Sequence, residues 1–264
     1  MIGMMYLVLT ALLALNVSKQ ILDAFVVVNE SMETTNENFS KKLDNSYSKF
    51  RSQYQLNPNK VGPYWKKAQQ AHVLSDKFSK YIDSIKYVVL VRTDGLASIE
   101  DARKLKLRDA KRKDSYNEPT RFFIGSSQDG SAGEAKILKE KIENFKKQML
   151  DLVDPKFKAS IKLGMDTKGP YYDADGTVQN WEMHNFYRTI LAATVTILNK
   201  TKAEVFNVEF DVVNSIFSEV SAEDYKFDEI KAKVIPQSRF VFSGDNYEAE
   251  IIVAAYETTG NPTV

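Results

Sequence analysis

The chain has 264 residues, 43% of them hydrophobic, and 36 Lys and Arg against 35 Asp and Glu leave a formal net charge of +1. A chain this long can bury enough apolar surface to offset its conformational entropy unaided, and the even charge balance excludes a surface built to neutralise phosphates, so no nucleic-acid partner is expected. The absence of cysteine excludes thiol nucleophiles, disulfides and Cys-ligated zinc, and His72 and His184 are the only imidazoles.

In chain order, the first element is an apolar helix. Residues 1–18, MIGMMYLVLTALLALNVS, carry no charged side chain, and at the helical rise they extend about 27 Å, close to one hydrocarbon core. The segment reads as an uncleaved transmembrane anchor. A signal peptide, which ends in an A-x-A-like site, and a helix buried in a soluble domain are the competing readings. The helical pattern continues through KQILDAFVVVN, where Lys19 and Asp23 stand one turn apart, placed to pair at the headgroup level. Nothing basic precedes the apolar run, so a native basic leader is expected upstream of Met1, with the bulk of the chain exported to the periplasm. Gly3, Tyr6, Thr10, Ala14 and Ser18 recur every three or four residues, a stripe of mostly small or hydroxyl-bearing groups that suits close helix packing with a partner inside the membrane.

Helical periodicity continues to about residue 221, interrupted by turn signals at Asn57-Pro58, Gly62-Pro63, Asp94-Gly95, Glu118-Pro119 and Lys168-Gly169-Pro170. Phe39, Leu43, Tyr47, Phe50 and Tyr54 form one apolar stripe, and residues 64–93 repeat the pattern through Trp65, Ala68, Phe78, Ile82 and Val89. Residues 97–116 are the most basic stretch and read as a solvated helix face. Residues 125–133, GSSQDGSAG, form a loop without the Gly-Lys-Ser/Thr of a phosphate cradle. Amphipathic helices follow at Glu134–Leu152 and from about Glu182 to Ser221. Beyond Asp224 the period falls to two in EIKAKVIP, SRFVFSG and NYEAEIIVAAYET. Three strands cannot cover both faces of a sheet, so they open a β-sandwich or join a sheet completed by another chain. The expected division is therefore anchor and stalk at 1–28, an all-α domain at 29–223 and the first strands of a β-sandwich at 224–264. The fold class is mainly α.

No catalytic pattern emerges. Asp173, Asp175, Gly176 and Glu182 imitate part of an EF-hand loop, but Tyr171 stands at its first position, which points to a turn before a helix. His72 and His184 lie in separate helices without a ligand one turn away and read as ordinary polar positions. G-x-S-x-G, H-E-x-x-H and G-x-G-x-x-G are absent. We therefore expect no enzyme, cofactor or metal.

The start Met4-Met5-Tyr6-Leu7-Val8, the run Ala14-Leu15-Asn16-Val17-Ser18-Lys19 and the following Leu22-Asp23-Ala24-Phe25 resemble the N-terminus of the GldM family, also written PorM. The resemblance extends through Asn180-Trp181, the helix FYRTILAATVTILNKTKAEV and the strands. It implies a single-pass inner-membrane protein of Bacteroidetes gliding motility and type IX secretion, with an all-helical periplasmic domain followed by β-sandwich domains. It further implies a proton-motive motor, in which two copies of this chain pass through a pentamer of GldL-like channel subunits. The homodimer then carries torque to an outer-membrane ring. Tyr6 matches a membrane tyrosine of the family, near a basic residue just upstream and a carboxylate of the channel; that arginine is absent here. The alternative is a membrane-anchored periplasmic binding or chaperone module for exported proteins, which an exposed apolar patch would favour.

Overall fold

The computed structural model describes the backbone of residues 2–159, 161, 163–173, 175–224, 229–236 and 249–256, with side chains for those between 19 and 220 and at Ile235 and 250–252. The chain divides into two compact units, Met1–Ile216 and Phe217–Val264.

The first unit begins with α1 (Ile2–Leu56), a continuous helix of 55 residues. Among the described residues no helix is long and apolar enough to cross a membrane; the span expected at residues 1–18 falls where side chains are not described. On the remainder of α1, Asn29, Asn36, Leu43 and Phe50 are buried at seven-residue intervals. Seven residues are close to two helical turns, so these side chains share one face.

Asn57 alone separates α1 from α2 (Pro58–Asp94). Its side chain accepts a hydrogen bond from the Lys60 amide, and Pro58 takes the first helical position, where no N–H is needed. The reversal folds α2 back onto α1, and Trp65 meets Phe50 and Tyr54 with ring centroids 5.5 and 6.1 Å apart. Gly62-Pro63, expected to be a turn, lies inside α2. Pro63 forfeits one backbone bond early in the helix, and aromatic packing two residues on holds the helical path. Gly95 ends α2 in the left-handed region at φ 69°, its N–H donating to the Val91 carbonyl, as the Asp94-Gly95 signal requires.

The basic stretch is less helical than its composition suggests. Only α3 (Ile99–Lys104) is α-helix, followed by a 3-10 turn at Leu107–Asp109. Tertiary demands explain the difference: Leu107 and Ala110 are buried, Asp94 accepts from the Arg112 amide at 2.7 Å, and the carbonyls of Lys113 and Ser115 accept from the amides of Ala192 and Leu191. The segment thus supplies acceptors for N–H groups that the start of another helix leaves unpaired.

Glu118-Pro119, expected to be a turn, instead opens α4 (Asn117–Phe123), with Pro119 in the first turn, where it costs no helical bond. Then come α5 (Glu134–Asp151), α6 (Pro155–Lys158) and a small hairpin of β1 (Tyr171–Tyr172) and β2 (Val178–Gln179). The expected long last helix is two pieces, α7 (Trp181–Phe186) and α8 (Leu191–Asp224). They part at Arg188, whose φ of 52° leaves the helical region while its amide donates to Thr120 Oγ1. Leu191, Val195, Leu198, Val205, Val208 and Val212 line the buried face of α8.

In the second unit, β3 (Glu229–Pro236) and β4 (Ala249–Tyr256) pair antiparallel, from Glu229 opposite Tyr256 to Pro236 opposite Ala249. The strand expected at SRFVFSG lies outside the described residues.

Phe50 is completely buried against Trp65. Phe50→Ala should therefore lower unfolding stability by about 3–5 kcal/mol, read from the urea midpoint at unchanged slope.

Candidate functional site

The described side chains bring together two polar clusters where α1, α2 and α8 meet. In the first, Glu209 of α8 is 1% exposed. Its Oε1 lies 2.8 Å from the Tyr47 hydroxyl on α1 and 2.9 Å from Nδ1 of His72 on α2. The hydroxyl also lies 3.1 Å from the Ala68 carbonyl. With one proton it can donate to only one acceptor at a time, and the carboxylate is the stronger. The His72 ring meets that of Tyr47 edge-on at 5.2 Å.

This arrangement shifts both partners of the carboxylate. Burial, followed by the Glu209 charge, holds the Tyr47 hydroxyl far above the ordinary phenol range. For His72 the hydrogen bond to Glu209 is the leading cause of a raised pKa; desolvation opposes it, and the charges of Glu209, Asp76 and Asp44 add to it.

The second cluster is built around Asn199 of α8, 1% exposed. Its Nδ2 donates to Asn29 Oδ1 at 2.8 Å, its Oδ1 accepts from Lys86 Nζ at 3.0 Å, and its backbone carbonyl accepts from Asn36 Nδ2 at 3.2 Å. Asn29 in turn donates to Glu33 at 2.9 Å. Beside it, Asp83 of α2 sits between Lys86 at 2.9 Å and Lys202 of α8 at 2.6 Å. Burial pushes the Asp83 carboxyl up, but the two lysines outweigh it and hold the group below its ordinary value. A bidentate Arg108–Glu30 pair, both contacts 2.9 Å, ties the 3-10 turn to α1 at the exposed edge.

These groups tie α1, α2 and α8 to one another. Among the described residues no group of three or more His, Asp or Glu could hold a metal ion. The EF-hand-like segment is a turn: Asp173 Oδ1 accepts from the amides of Asp175 and Thr177, closing the β1–β2 hairpin. His184 stacks on Tyr171 with centroids 4.9 Å apart, beside a cavity of about 380 Å³.

The sequence-based site residues fare differently. Gly3, Tyr6, Thr10, Ala14 and Ser18 lie outside the residues whose side chains are described. Lys19 and Asp23 are exposed, and Asp23 adds to the negative field at Arg108. His72 is no ordinary polar position, since it completes the buried Glu209 cluster. Glu209, Asn199, Asn29 and Asn36 were not singled out from sequence, although a carboxylate or amide within an apolar helical stripe is a readable signal.

The class these features define is a helical-bundle protein whose long first helix is keyed to the bundle through buried polar contacts, with β structure following. The chain belongs to the GldM family: residues 20–219 match the GldM N-terminal domain and residues 221–264 the GldM second domain. It is thus a component of the gliding-motility and type IX secretion machinery, from a family that is structural rather than known for enzymes and that is inner-membrane-anchored and periplasmic. A search of curated proteins finds no match.

The raised pKa of His72 sets the sign of a pH effect. Its stabilising contribution is complete below the unfolded value near 6.5 and fades as pH rises through the higher folded value. The stability margin of wild type over His72→Gln should therefore be larger at about pH 6 than at about pH 8.5 in parallel urea titrations. An equal margin at both would contradict the pairing.

Proposed function

We propose that this chain transmits a movement generated in the membrane to the periplasm, with α1 as the shaft and the polar clusters as its coupling to the bundle. The observation that carries this reading is the continuity of α1 from Ile2 to Leu56, together with the burial of its Asn29 and Asn36 against α8. A rigid helix passes rotation or tilt along its length, whereas a loose linker absorbs it in backbone rotations.

In this proposal residues 1–18 cross the inner membrane, and Gly3, Tyr6, Thr10, Ala14 and Ser18 face GldL-like channel subunits. Two copies of the chain share a pentameric channel driven by the proton-motive force, and Lys19 and Asp23 lie at headgroup level. The homodimer passes torque to the outer-membrane ring. Family membership supports the machinery to which this proposal assigns the chain. The exposed positions of Ile21, Val27 and Val28 leave apolar surface on α1 free to meet a second copy.

The place to break the shaft is upstream of its first bundle contacts, since Val26 is buried and the Phe25 carbonyl lies 3.4 Å from Thr196 Oγ1. Inserting Gly-Gly-Ser-Gly after Gln20 leaves both polar clusters and residues 1–18 intact. The variant should insert in the membrane and co-purify with channel subunits, yet lose secretion and gliding. Normal secretion by a stably expressed insertion variant would defeat rigid transmission.

A further inference from the structure

A feature independent of the coupling reading lies on the opposite use of α2, in the open groove it forms with α5. The groove is continuous: two hollows of about 530 and 200 Å³ share Leu74 and Gln148. Its α2 wall runs from Lys66 to Tyr81, about 22 Å at the helical rise. The α5 wall runs the opposite way, with Leu152 in the hollow of Lys66 and Lys141 in that of Tyr81. The floor is apolar. Val73 is 63% exposed there, flanked by Leu74 and Leu152, and Phe78 and Phe145, with rings 5.1 Å apart, back the far end.

The rim is predominantly basic, with three lysines to one aspartate. Lys66, Lys77 and Lys141 border the groove, and no carboxylate is paired with any of the three among the described residues. Lys141 instead sits 4.7 Å over the Tyr81 ring. The acid on the rim, Asp151, is 3.7 Å from Lys158. An occupant must therefore bring an apolar stripe and negative flanks.

Backbone chemistry selects its conformation. Both walls are helices whose N–H and C=O groups are bonded within the helix, so an extended strand would find no ladder partner and would bury unpaired polar groups. A helix satisfies its own backbone and presents side chains every three or four residues, matching the spacing of Gln69, Val73 and Lys77. We propose that the α2–α5 groove is a docking site for an acidic amphipathic helix, about four turns long, of a partner protein.

The test uses the full chain in lipid nanodiscs and a fluorescent 18-residue helical peptide with leucines every three or four positions and glutamates on the flanks. Its controls are the same peptide with lysines for the glutamates and a scrambled acidic peptide. Anisotropy titration should show saturable binding of the acidic helix alone. Binding should weaken at least about tenfold in Val73→Glu and in the double variant Lys66→Glu with Lys141→Glu, and fall as salt is raised. Val73 is exposed and the lysines lie on the rim, so these changes leave the fold intact; circular dichroism checks this. Equal binding of acidic and basic helices, binding indifferent to all three substitutions, or no saturable binding would overturn the proposal. So would a loss of dimer mass in Val73→Glu, which would make the occupant a second copy of this chain.

Discussion

Burying Asn29, Asn36 and Asn199 together fixes how α1 lies on α8, because amides removed from water are held by the hydrogen bonds they find there, Asn36 through its Nδ2 alone. An apolar interface tolerates sliding, since one turn of displacement exchanges one aliphatic neighbour for another. A polar seam does not. Each buried group left without its partner costs about 1–3 kcal/mol, and shifting α1 by a turn would strand donors or acceptors on Asn29, Asn36 and Asn199 together. That sum is comparable with the whole stability of an ordinary domain, about 5–15 kcal/mol. The seam therefore acts chiefly on register, and the Leu43 and Phe50 stripe supplies the adhesion.

Charges on the same helices divide by burial. The Arg108–Glu30 pair has the better bidentate geometry but stands in solvent, where salt and side-chain entropy erode it. Asp83, with Lys86 and Lys202 around it, is largely withdrawn from water, so loss of Asp83 would leave two like charges facing each other without their counter-ion inside the bundle. The weaker-looking geometry thus carries more of the constraint. The Glu209 cluster is different again, because its cationic partner is a histidine and so responds to pH where the lysines do not.

Much of this architecture was legible in sequence where local chemistry decides it. Asn57-Pro58 and Asp94-Gly95 mark the ends of α2 because an N-cap, a proline at the first position and a left-handed glycine act within a few residues. Gly62-Pro63 and Glu118-Pro119 misled for the opposite reason: a proline early in a helix disturbs little, and contacts such as Trp65 with Phe50 decide the path. The basic segment broke from helix because its carbonyls serve α8, some 80 residues away. The same limit applies to the coupling residues. Glu209 stands out as a carboxylate among Val205, Val208, Val212 and Val213, and Asn29 and Asn36 interrupt the stripe of Leu43 and Phe50. The pattern marks them as odd, but their partners lie more than 130 residues away and become known only once the helices are packed.

The spacing of the two clusters adds what neither could supply alone. Asn36 meets Asn199, and Tyr47 meets Glu209, so the contacts advance 11 residues along α1 and 10 along α8; the helices run in the same direction with matched register. On α2 the corresponding residues, Lys86 and then His72, run the other way. A single polar contact fixes a point and leaves a helix free to pivot about it. Two contacts about 15 Å apart on one helix resist pivoting as well as sliding, and sharing each with a third, antiparallel helix resists rotation about the long axis. A displacement of α1 is then opposed by three helices at two levels, and it has to break hydrogen bonds at both.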